Sequence, residues 1–180
     1  MKPLDRLGDR ERQIITARRR DGYGTGPLTQ LADLEDVLRV VLDQLLPGVP
    51  PAIDLASFVD ANTGRALGRG DRPDGTPAEP ELFRAGLGAL AAAGFIDMSD
   101  DDQRALIVRA RHGDADAEFG VPAKLFIDRL LDKALTGYLA HPDTWERIGF
   151  AGPAYPEGYA WIGLDEIRAR HDHKPGWESL

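Results

Sequence analysis

No cysteine occurs anywhere in the 180 residues, which excludes disulfides and thiolate metal sites. That composition suits a reducing compartment. Positive charge is also scarce: 22 Lys and Arg stand against 30 Asp and Glu, a formal net charge of −8. Binding to a phosphate backbone needs a basic face, so no nucleic acid is expected among the partners. No apolar run approaches the ~20 residues of a membrane-spanning helix, so no membrane span is expected. Phosphate-loop, nucleophile-elbow and dinucleotide glycine fingerprints are all missing. Gly22-Tyr-Gly-Thr-Gly26 is rich in glycine but follows a basic segment rather than a strand, and its spacing is wrong for a cofactor loop.

What remains is a chain long enough for one domain with a real core, 42% hydrophobic and 29% charged, as in ordinary globular proteins. Apolar spacing is helical throughout and no strand alternation occurs. Pro27 and then Leu28, Leu31, Leu34, Leu38, Val41, Leu42 and Leu45 mark a helix over Leu28–Leu46, closed by Pro47-Gly48. A shorter helix follows over Ala52–Asp60, and another over Glu81–Gly94. Ser99, with aspartates in the next three positions, opens a further helix that Gly113 stops. Asn62–Pro80, rich in Gly, Pro, Arg and Asp, reads as a long surface loop, and Asp114–Glu118 as a short acidic one. The expected fold is all-α, a single domain of about six helices with an irregular, aromatic C-terminal segment. The expected division is a basic N-terminal arm over 1–26, a helical domain over 27–163 and a tail over 164–180.

The organising stretch is Pro122–Pro156. Phe126, Ile127, Leu130, Leu131, Ala134, Leu135 and Tyr138 recur at three- and four-residue steps, so this helix should bury a broad face that includes Leu131 and Tyr138. It must end near His141, because Pro142 disfavours the helical conformation of its predecessor. Asp128 and Asp132 lie beside Arg129 and Lys133 and read as a solvated face. Beyond Pro142, Gly149, Gly152, Pro153, Pro156 and Gly158 break regularity. In a chain only 7% aromatic, Trp145, Phe150, Tyr155, Tyr159 and Trp161 crowd into seventeen positions together with Arg147. Buried interface centres favour aromatic and arginine side chains, so these six are the expected partner-binding residues.

The order Gly137-Tyr138, Pro142, Ile148-Gly149-Phe150 and Gly152 resembles the C-terminal signature of the gluconate 2-dehydrogenase subunit 3 family. Leu45-Leu46-Pro47-Gly48, Phe58-Val59-Asp60 and Ser99-Asp-Asp-Asp-Gln103 agree with it in sequence order. The likeness runs from about Leu28 to Trp161. Family members often carry a turn rich in glycine and asparagine after the proline, where this chain has Asp143-Thr144-Trp145. The resemblance implies a small accessory subunit of a flavin-dependent alcohol or sugar dehydrogenase. It places FAD, the catalytic histidine and the substrate pocket in a large partner subunit of the glucose–methanol–choline (GMC) type, with no cofactor in this chain.

Met1–Arg20 carries Lys2, Arg6, Arg10, Arg12, Arg18, Arg19 and Arg20 against Asp5, Asp9 and Glu11. Family members tied to periplasmic enzymes often begin with a twin-arginine export signal. Here Ala17-Arg-Arg-Arg20 leads into Asp21-Gly-Tyr-Gly-Thr-Gly rather than an apolar stretch, so a cytoplasmic protein is expected. The arm reads either as a solvated, partly helical tail or as a segment docking on an acidic partner. An alternative function is a self-sufficient, metal-dependent enzyme in which His171-Asp-His173 chelates an ion completed by His141. The position of His141 at a helix end favours a structural role, bonding the last carbonyls, over a catalytic one.

Overall fold

A computed structural model of the chain describes residues 8–21, 27–64 and 75–150. Among these residues the fold is all-α, with eight α-helices, two short 3-10 turns and no strand. The helices are α1 (Asp9–Asp21), α2 (Glu35–Leu45), α3 (Leu55–Asn62), α4 (Glu79–Ala92), α5 (Asp100–His112), α6 (Asp116–Phe119), α7 (Ala123–Ala140) and α8 (Pro142–Ile148). The long helix α7 is the hub. It packs most extensively against α3 and α5 and also touches α2, α4, α6 and α8.

Two glycines set how closely the neighbours approach that hub. Gly137 of α7 faces the Phe58 ring of α3, and Gly86 of α4 faces the Phe126 ring of α7. Phe126 itself is fully buried between Phe83, met edge-on at 6.2 Å between centroids, and Phe119 at 5.9 Å. The face expected of α7 is shifted slightly from the sequence reading. Phe126, Ile127, Leu130, Ala134 and Gly137 are buried, whereas Leu131 and Tyr138 are only half-buried at its edge.

The helix expected over Leu28–Leu46 begins later than its leucine stripe does. Leu28 and Leu31 are buried in irregular backbone, followed by a 3-10 turn at Ala32–Leu34 and then α2. The cause is Asp60, buried at the end of α3. Its carboxylate accepts the backbone N–H groups of Thr29 (2.7 Å), Gln30 (2.8 Å) and Leu31 (2.7 Å). Those amides are held across thirty positions of sequence, so the segment is pinned to α3 and cannot wind into the helix. The Gln30 side-chain amide returns the contact by donating to the Asp60 and Thr63 carbonyls.

Lys133 and Asp132 do not form the solvated pair the sequence pointed to. Lys133 is 3% exposed, and its ammonium donates to the Asn62 carbonyl (2.5 Å) and to the Glu79 carboxylate. Glu79 also accepts the Gly64 N–H, so the two ends of the Asn62–Pro80 connection are clasped against α7. Asp128 pairs with Lys124 and Arg111.

The motif Ser99–Gln103 is a structural joint. Ser99 Oγ accepts the Asp102 N–H at the start of α5, as its spacing implied. Gln103, buried, donates to the Phe95 carbonyl and accepts from Gln44 of α2. Gly113 closes α5 in the left-handed conformation. The acidic stretch after it is not simply a loop: Asp116–Phe119 forms the single turn α6, whose Phe119 enters the core. Four residues are too few to show a helical period, and Asp116 secures the turn by accepting the Ala123 N–H at 2.8 Å.

Candidate partner interface at the α7–α8 corner

The segment after Pro142 is helical where an irregular one was expected. His141 ends α7 in extended backbone, as a residue before proline prefers, and Pro142 occupies the first position of α8. The same proline that stops one helix therefore starts the next. His141 Nδ1 accepts the Asp143 N–H at 3.2 Å, which caps the first turn of α8. That hydrogen bond gives the buried imidazole a structural task at the junction of two helices. Gly149, at φ +70°, ends α8, and the Phe150 N–H closes on the Trp145 carbonyl at 2.9 Å.

Of the six expected contact residues, the described part of the chain includes three; Tyr155, Tyr159 and Trp161 lie outside the described residues. Trp145 is 5% exposed. Its indole N–H donates to the Leu139 carbonyl at 2.8 Å, satisfying one of the carbonyls that the end of α7 leaves open. Trp145 therefore builds the corner rather than presenting a free ring. Phe150 is 47% exposed and stands edge-on to Trp145 at 5.8 Å. Arg147 is exposed and donates to the Gly48 carbonyl at 3.3 Å, tying α8 to the turn after α2.

The sequence reading passed over two neighbours of this corner. Leu139 is 49% and Ile148 55% exposed, so with Phe150 three half-bare apolar side chains fall in the last turn of α7, at the end of α8 and just after it. Leu139 falls off the periodic face of α7, and that mismatch was the available signal. Helix α1, whose Ile15 is buried, contacts α8.

Of the histidines of the alternative reading, His171 and His173 lie outside the described residues. No group of three or more His, Asp and Glu side chains is arranged to hold a metal ion among the described residues. No described helix is long and apolar enough to cross a membrane.

Neither a curated protein nor a solved structure matches the chain. A family model described as gluconate 2-dehydrogenase subunit 3 matches residues 32–152, which include every helix from α2 to α8. The residues that carried the likeness occupy joints of this fold: Asp60 in the clamp on Thr29–Leu31, Gln103 between α2 and α5, Gly137 against Phe58, and Pro142 and Gly149 at the two ends of α8. On that match, which spans well over half of its residues, the chain belongs to the gluconate 2-dehydrogenase subunit 3 family.

Proposed function

We propose that this chain is a non-catalytic small subunit that binds and stabilises a flavin-dependent, GMC-type oxidoreductase acting on a sugar, a glycoside or another alcohol. The observation that carries the reading is the family match over residues 32–152, to a family named for one subunit of a dehydrogenase. FAD, in this reading, belongs to the large subunit, and the small one contributes surface and stability. The apolar side chains at the α7–α8 corner support it, because an accessory subunit must offer area that its partner takes out of water. The complex is proposed to work in the cytoplasm, a reducing compartment that a chain without cysteine suits.

The test is co-expression of the tagged full chain with candidate flavoprotein subunits, followed by an absorption spectrum of the purified material. A stoichiometric flavin spectrum from a two-subunit complex, and none from the chain purified alone, is the expected result. Tight flavin in the lone chain, or sugar oxidation by it, would overturn the assignment.

A further inference from the structure

Helix α1 is built almost entirely of polar residues. Of its thirteen positions only Ile14, Ile15 and Ala17 are apolar. Ile15 is sealed from water at 1% exposure, whereas Ile14 and Ala17 are half-buried. A helix of this length that is polar on nearly every face is marginal in water by itself. Exposed ion pairs within it, such as Arg12–Asp9 at 3.5 Å, add little. Its helical form therefore depends on docking, and α8 is a helix that it contacts.

The helix beneath it is held by bonds of its own. The Trp145 indole of α8 donates to the Leu139 carbonyl at the end of α7. The Asp143 N–H donates to His141 Nδ1, and Arg147 donates to the Gly48 carbonyl after α2. Helix α1 also precedes residues 32–152, the part of the chain that the family model matches. When Ile15 leaves its seat, these bonds remain in place, while α1 loses the one apolar side chain it buries fully.

We infer that α1 is a releasable strap, helical while Ile15 is seated against α8 and unwound once Ile15 leaves. Release is a local step that leaves α2–α7 folded. It uncovers the part of α8 that α1 occupies and frees a stretch with five arginines and three acidic residues. The fold thus carries a covered and a bare form of α8, and the burial of one isoleucine separates them.

Native-state amide hydrogen exchange of the full chain, followed by NMR, tests this. In the wild type, the amides of Ile15, Thr16 and Ala17 should be at least about a hundredfold less protected than that of Leu130 in α7, and low urea should not change their rates. Ile15→Asp should bring them to the rates of an unfolded chain and speed tryptic cleavage after Arg12 about tenfold, with Leu130 still protected. Thr16→Asp, at the next position but on an exposed side chain, should behave as the wild type does. Wild-type α1 amides as well protected as Leu130, or loss of Leu130 protection in Ile15→Asp, would make α1 part of the core and overturn the strap. Unchanged α1 exchange in Ile15→Asp, or an equal effect of Thr16→Asp, would show that Ile15 is not the anchor and overturn it equally.

Discussion

The Phe58 ring lies so close to Gly137 that a methyl group on that glycine would sit 2.6 Å from the ring's Cδ1. Contact of this kind lets α3 rest directly on α7, the most extensive helix pairing in the fold. Gly137→Ala should therefore destabilise the protein by about 1–3 kcal/mol through overpacking. The roughly 1 kcal/mol that alanine adds in helix propensity does not offset a clash with a ring held in the core. Urea denaturation of Gly137→Ala, Phe58→Leu and the double variant checks this: the double should be less destabilised than the sum of the singles. A Gly137→Ala protein more stable than wild type would contradict the packing.

Asp60 accepts three consecutive backbone amides through its two carboxylate oxygens. Asp60→Ala leaves the buried Leu31 N–H without its acceptor, while Thr29 and Gln30 stand at exposed positions where water can replace theirs, so the cost should be on the order of 1–3 kcal/mol. Asp60→Asn, with a single accepting oxygen, should fall between that variant and wild type. Amide hydrogen exchange of Thr29, Gln30 and Leu31 should quicken together in Asp60→Ala. An unchanged melting temperature would mean the clamp is dispensable.

The Lys133–Glu79 pair is asymmetric, because the Lys133 side chain is 2% exposed and that of Glu79 is 26% exposed. Glu79→Ala strands a buried ammonium and should cost about 3–5 kcal/mol. Lys133→Met should cost less, since Glu79 keeps water and the Gly64 N–H. Thermal melts of the two variants decide it, and the reverse order would show that the ammonium is not buried.

Leu130 and Leu131 are neighbours on α7 with different fates, one fully buried and the other half-buried. Leu130→Ala should cost about 2–5 kcal/mol, with Leu131→Ala clearly below it. Equal losses from the two substitutions would place the buried face of α7 elsewhere.

Burial raises the Asp54 carboxyl's pKa, but the Ser57 hydroxyl and amide and the Arg39 guanidinium outweigh that and hold it below the ordinary carboxylate value. A carboxylate depressed in the folded state adds stability above its unfolded pKa of about 3.9, and that stability is lost as pH falls through the lower folded value. Wild type should therefore lose stability as pH falls below about 4, and Asp54→Asn should lose less over the same window. Parallel stability curves for the two proteins from pH 5 to pH 2.5 would remove Asp54 from the acid response.

The sequence by itself determined the all-helical class, the span of α7, the start of α5 at Ser99 and its end at Gly113. Each rests on local physics: apolar period, a capping hydroxyl, a glycine able to adopt positive φ. It also carried the family resemblance, because glycines and prolines at fixed joints leave a readable order even in one chain. Only the tertiary structure decided that Leu28–Leu31 stays out of α2, since the carboxylate responsible lies thirty positions away at Asp60. The same holds for Lys133, whose neighbour in sequence is Asp132 but whose partners in space are Asn62 and Glu79. At the α7–α8 corner, aromatic content alone did not distinguish a buried ring from a bare one. Trp145 turned inward because an open carbonyl at the end of α7 was within its reach, which left Leu139, Ile148 and Phe150 to face the solvent. Local pattern governs which elements form, whereas the partner each polar group finds across the chain governs where they stop and what they expose.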